Sequence, residues 1–89
     1  MGPTRARRRI RELARAGRWE LTSHALESLV ERDASVEDVF VVLTTAKVCH
    51  GEPSGRWRLS GPDRVGDPLT LIVELHAHVV VVTLFRGEE

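Results

Sequence analysis

Apolar positions recur with a helical period through the first half of the chain and with a period near two through the second half. Between Arg5 and Ala16, Ala6, Ile10, Leu13 and Ala14 fall on one face. Thr4 can cap this helix, Gly17 is placed to stop it, and Trp19 can extend the apolar face beyond its end. A second helix is predicted over 23–33. Thr22 or Ser23 can accept a free first-turn N–H, and Ala25, Leu26, Leu29 and Val30 form the inward face. Asp33 and Ala34 break the pattern. Ser35 followed by Asp38 resembles a capping box for a third helix over 36–46, whose stripe is Val36, Val39, Phe40 and Leu43.

After Ala46 the alternation predicts strands over 47–50, 56–60, 69–75 and 79–85. In the second of these, Trp57 and Leu59 share one face, and Arg56, Arg58 and Ser60 the other. Residues 51–55 and 61–68 read as loops by composition, and His76-Ala77-His78 as a tight turn. The runs Leu71-Ile72-Val73 and Val79 to Val82 suggest central strands covered on both faces. The fold class is therefore α+β, as one domain over 1–89. Three N-terminal helices (the helical part, 5–46) pack on a four-stranded antiparallel sheet (47–86) in the order α-α-α-β-β-β-β.

Eighty-nine residues suit a single small core. The formal net charge is zero, but its distribution is lopsided: residues 1–20 hold seven arginines against Glu12 and Glu20, a local +5, and the rest carries −5. Such asymmetry points to an anionic partner. Arg5, Arg8, Arg9 and Arg56 are the candidate nucleic-acid contacts. A solvated helix face, in a chain whose only lysine is Lys47, is the plainer explanation. Cys49 stands alone, so no intrachain disulfide can form, and a reducing compartment is expected. The basic start is not followed by an apolar signal core, and Glu74, His76 and His78 interrupt the longest apolar region. A cytoplasmic protein without a membrane partner is the expectation.

His24, Ser28 and Arg32 sit at i, i+4 and i+8 and so project from one side of the second helix. An imidazole, a hydroxyl and a guanidinium in line are the most chemical feature of the chain. A cap-side histidine, and an arginine favoured by the helix dipole, would explain the same residues structurally. Zinc is not expected. Cys49 and His50 are adjacent on a strand and point to opposite faces, no paired-cysteine motif exists, and His76 and His78 read as solvated turn residues. Cys49 reads as a small core hydrophobe rather than a nucleophile. Phosphate-loop and dinucleotide glycine motifs are absent, and no cofactor is implied. A metal-free nuclease needs a base near a ribose 2′-hydroxyl and cations around the phosphate. His24, Arg32, Arg56, Arg58 and Arg86 can supply these if the open sheet face looks toward the second helix. Trp57 could stack a base, though its size favours the core.

The run from Trp19 to Val39 (WELTSHALESLVERDASVEDV) resembles a pattern of small bacterial proteins, aromatic-x-x-T-x-H-A-x-x-R-M-x-E-R-G-I-S-x-x-D-V. The pattern continues with a G-R strand and a last V-x-T-V-Y strand. The matching residues are Trp19, Thr22, His24, Ala25, Glu31, Arg32, Ser35, Asp38 and Val39, then Gly55-Arg56 and Thr83. The family is the one catalogued as domain of unknown function 4258, and the resemblance spans Arg9 to Arg86. Its fold is similar to that of ribonuclease toxins such as RelE and MqsR, and members often sit beside a zinc-finger antitoxin of the YgiT type. The resemblance implies the toxin of a type II toxin–antitoxin pair, a metal-independent RNA endonuclease whose partners are RNA and a cognate antitoxin. His24 would be the general acid or base and Arg32 the phosphate clamp, with Arg58 and Arg86 as auxiliary cations. Ser28, Asp33 and Phe85 stand where the pattern has arginine, glycine and tyrosine, so those roles do not carry over. The rival is a non-enzymatic module that binds a protein or nucleic acid. Self-association is compatible with either.

Overall fold

The computed structural model describes residues 1–86. Its elements are α1 (Pro3–Arg15), β1 (Trp19–Leu21), α2 (Ser23–Glu31), α3 (Val36–Thr45), β2 (Val48–Gly51), β3 (Trp57–Pro62), β4 (Pro68–Leu75) and β5 (Val79–Arg86). The three helices and the late strands lie where the hydrophobic pattern predicts, but the expected stripes are only half buried. Leu26 is 50% and Val30 84% exposed on α2, and Val36 44% and Phe40 38% exposed on α3. Each helix meets the core along a narrower arc, which holds Ala25, Ser28 and Leu29 on α2 and Val39, Val42 and Leu43 on α3. The sheet differs from the expectation: it has five strands, in the order β1-β5-β4-β3-β2, and is mixed. Strands β2 to β5 form an antiparallel meander, and β1 lies parallel to β5 at the edge. Three residues are too few to display a period, so β1 is invisible to pattern reading. It forms because Trp19 and Leu21 can pack against the core while Glu20 points outward. The 61–68 loop is also shorter than expected, since β3 runs through Gly61 to Pro62 and β4 starts at Pro68.

Local chemistry sets the helix ends. Gly2, not Thr4, is the N-cap of α1, with Pro3 at the first helical position, where its missing N–H costs nothing. Thr22 caps α2 by accepting from the Ala25 N–H. The capping box of α3 is complete: Ser35 Oγ accepts from the Asp38 N–H, and Asp38 accepts from the Ser35 N–H. Gly17 takes a φ of 76° just past α1, a backbone state in which glycine avoids a Cβ clash.

Helices α1 and α3 cover one face of the sheet. Ile10, Leu13, Val39, Val42 and Leu43 meet Leu59, Leu71, Val73, Val81 and Leu84, all at most 2% exposed. Leu59, Leu71 and Leu84 are register partners across three strands and form the central row. Each such side chain contributes roughly 1.5–3 kcal/mol on burial. At Gly61 the end of α3 crosses β3 so closely that a Cβ would lie 3.1 Å from the Ala46 Cα. Among the described residues no helix is long and apolar enough to cross a membrane.

Helix α2 lies beside the second half of β5, where β1 has ended. Thr22 donates from its hydroxyl to the Val82 carbonyl and from its backbone N–H to the Val81 carbonyl. Val82 is the extra residue of a β-bulge, because Val81 pairs with Val73 and Thr83 with Ile72. The bulge flips the phase of β5. Val79, Val81 and Leu84 therefore face the helices, while Thr83 and Phe85 turn to the opposite side.

Candidate functional site

Side chains alternate across a strand, so the face opposite α1 and α3 can be read from the register. His50 pairs with Arg58, Arg58 with Ile72, and Ile72 with Thr83. Thr83 Oγ1 lies 3.5 Å from Ser28 Oγ on α2, so this row runs across four strands and onto the helix. A parallel row holds Val48, Ser60, Thr70 and Phe85, with Ser60 Oγ and Thr70 Oγ1 3.1 Å apart. Among the described residues no helix lies across these two rows as α1 and α3 lie across the other face, although most of their side chains are half-buried and Thr70 is buried.

The arginines of this face hold carboxylates. Arg58 donates from Nε to Glu52 at 3.0 Å, and its guanidinium carbon sits 5.8 Å from the centre of the Phe85 ring. It thus leans across β4 toward β5. Arg56 donates to Glu74 at 2.9 Å, and His76 Nε2 lies 3.1 Å from the other oxygen of the same carboxylate. The hydrogen bonds from His76 and Arg56 hold the Glu74 carboxyl below its ordinary value. Trp57 is on the helix side, packed against the core and over Gly51, so it does not share a face with Arg58.

The α2 stripe is as the spacing predicts, with its members divided by burial. Ser28 is 3% exposed and donates to the His24 carbonyl, while the His24 and Arg32 side chains are exposed. Neither the imidazole nor the Arg32 guanidinium makes a hydrogen bond among the described residues. His24 in the first turn and Arg32 at the C-cap stand where a cap-side histidine and a dipole-favoured arginine would stand, but neither side chain ties α2 to neighbouring backbone among the described residues. The two residues are engaged through their backbone carbonyls, His24 accepting from Ser28 Oγ and Arg32 from Arg86 Nε.

Arg86 has a different setting. Its Nε donates to the Arg32 carbonyl at 3.0 Å, and its Nη2 to the Asp33 carbonyl at 2.9 Å. Its Nη1 pairs with Asp63, a carboxylate that is almost fully buried. Burial alone would push the Asp63 carboxyl up. The Arg86 guanidinium and the N–H groups of Asp67 and Val65 outweigh that and hold it below the usual value. Nearby, burial likewise raises Asp38, but hydrogen bonds from Ser35 and Arg64 and the Arg64 charge bring it below normal. These groups line a polar cleft of about 320 Å³ between the α2–α3 turn and the β3–β4 loop. Arg86 is therefore the fastening of this corner, and its directions are filled.

The remaining candidates are dispersed. Arg5, Arg8 and Arg9 lie on the outer side of α1, across the domain from Arg56. Cys49 pairs with Leu59 and points to the core, and burial pushes its thiol up. His50, on the same strand, faces the other way. Among the described residues no three histidine, cysteine or acidic side chains converge on a metal-sized space. Nothing in the sequence marks Glu52 or Asp63 as site residues, and Thr83, which matches the family pattern, carries no sign of its place in the row. The bulge that turns Thr83 outward leaves no sequence signature. Asp63 sits in a Gly-Pro-Asp stretch whose turn-forming character concealed a buried carboxylate. No family model matches the chain, and no curated protein or solved structure matches it.

Proposed function

We propose that this chain is a metal-independent RNA endonuclease of the toxin kind, allied to the domain of unknown function 4258 family and to the RelE-like fold, and controlled by a cognate antitoxin. The observation that supports this reading is the uncovered row His50–Arg58–Ile72–Thr83, continued through Ser28 onto the α2 stripe. It sets an exposed imidazole and an exposed guanidinium along the border of an open sheet face. His24 takes the proton from a ribose 2′-hydroxyl, and O2′ attacks the adjacent phosphorus. The bond from phosphorus to the 5′ oxygen breaks, leaving a 2′,3′-cyclic phosphate and a 5′-hydroxyl that is protonated from solvent. Arg32 holds the phosphate, and Arg58 offsets the charge that develops on it. Arg86 acts through position by fixing the C-terminal end of α2. Neighbouring strands are ~4.8 Å apart, so the row spans ~14 Å from β2 to β5, and His50 and His24 cannot serve one phosphate together.

A second reading has its own observation. Arg56 and Arg58 already hold Glu74 and Glu52, so the sheet face is electrostatically quieter than its arginines suggest. A non-enzymatic binding module needs no bare cations there. Cleavage assays on the parent, His24→Ala and Arg32→Ala, with melting temperatures of the same samples, separate the two. The endonuclease loses activity in both variants at unchanged stability, whereas the module shows no cleavage in any sample.

A further inference from the structure

Helix α1 carries five arginines on its outer side. Ala6, Ile10, Leu13 and Ala14 bury the inner face against α3 and the sheet. Arg5, Arg8, Arg9, Arg11 and Arg15 occupy the remaining arc together with Glu12. Arg7 is not among them, because it reaches back to donate to the Ala46 carbonyl at the end of α3. Only Arg9 has a partner on this arc, a 3.5 Å contact with Glu12. Arg5, Arg8, Arg11 and Arg15 make no hydrogen bond or ion pair among the described residues. Arg5, Arg8, Arg9 and Glu12, with Met1, line an open recess of about 330 Å³.

The arrangement works against the helix that carries it. Arg8, Arg11 and Arg15, and also Arg5 with Arg8 and Arg9, are like-charged neighbours at i, i+3 or i+4, which repel. The first turn holds no acid to meet the positive end of the dipole. A bound anion removes both penalties.

We infer that the outer face of α1 is a docking site for the phosphate backbone of a nucleic acid, separate from the open sheet face. The guanidinium fork matches phosphate and carboxylate oxygens alike, so the choice of phosphate over an acidic protein rests on what lies between the charges. The arc from Arg5 to Arg15, ~15 Å long, has only the polar Glu12 among its charges, and Met1 borders it at the N-terminal end, whereas protein interfaces are built around central buried apolar anchors. The site is separate because α1 covers one side of the sheet and the His50–Thr83 row lies on the other, in a domain measuring 32 × 24 × 22 Å. One phosphate group cannot touch both. Arg56, on the far side and paired with Glu74, is not part of this surface.

The test uses the whole chain with 2′-O-methyl oligoribonucleotides, single-stranded and duplex. These cannot be cut through a 2′-hydroxyl, so binding is read whether or not the protein cleaves RNA. Four phosphate contacts predict a slope of about −3 for log affinity against log salt, or ~60-fold weaker binding between about 50 and 200 mM. Arg5→Gln, Arg8→Gln, Arg11→Gln and Arg15→Gln together should abolish this salt-dependent binding, while Arg64→Gln, in the β3–β4 loop, leaves it unchanged. If the fourfold variant does not fold, Arg8→Gln alone should make the slope shallower by about one. Preference for either the single strand or the duplex supports the site and names its source. A parent slope shallower than about −1, a folded fourfold variant with the parent's slope, or polyglutamate bound as tightly as the oligonucleotides would overturn the proposal.

Discussion

Arg86, at the end of β5, reaches Asp63 in the β3–β4 loop with one arm of its guanidinium and the carbonyls of Arg32 and Asp33 with the others. One side chain thus joins the last strand, a loop and the C-terminal end of α2. Removing it leaves the Asp63 carboxylate buried without its counter-ion, the change that makes broken buried pairs expensive. Arg86→Ala should lose about 3 kcal/mol in chemical denaturation. A loss under ~0.5 kcal/mol, the range of ordinary surface changes, would show that the corner is held by something else.

The same corner sets an acid limit. Asp63 and Asp38 both titrate below the ordinary aspartate value of 3.8 in the folded chain. A depressed carboxyl contributes stability that is fully present above its unfolded value and is lost as the pH falls through the folded one. The melting temperature should therefore drop steeply below about pH 4. Asp63→Asn should be less stable at neutral pH and show a flatter acid profile. An unchanged acid slope in that variant would remove Asp63 from the account.

Thr22 has two roles at the junction of β1 and α2. Its Oγ1 accepts from the Ala25 N–H and donates to the Val82 carbonyl beside the bulge. Thr22→Ala should cost about 1–2 kcal/mol, at the upper end for a helix cap. Thr22→Ser keeps both bonds and should recover most of it. If serine is no better than alanine, the methyl packing and not the hydroxyl is what matters.

Much of this fold could be read from hydrophobic spacing, and the misses have definite causes. The α3 capping box follows from the residue types Ser35 and Asp38 three apart, and the facing of Trp57, Leu59 and Cys49 from strand alternation. Trp19 to Leu21 does not, because a parallel edge strand of three residues exists only by virtue of β5, sixty residues away. The candidate site divides the same way. The His24–Ser28–Arg32 stripe is a local property of a helix and was legible. Whether it borders anything depends on the bulge at Val82 and on α2 lying along β5, which are tertiary facts. From the sequence Arg86 is an auxiliary cation, and the partner that makes it a fastening instead, Asp63, is hidden in a turn sequence.

His24 and Arg32 are exposed, and among the described residues their side chains make no hydrogen bond or ion pair. His24→Ala and Arg32→Ala should each keep the parent's stability within about 0.5 kcal/mol. A larger loss in either variant would reinstate a structural role for the stripe.

RNA cleavage by this stripe and the row beside it is tested by digesting RNA with the purified chain in the presence of a chelator and identifying the product ends. Fragments should end in a 2′,3′-cyclic phosphate and form equally well without metal, at a rate ~10²–10⁴-fold lower in His24→Ala. No cleavage by the parent, cleavage that the chelator abolishes, or a His24→Ala variant as active as the parent would contradict it.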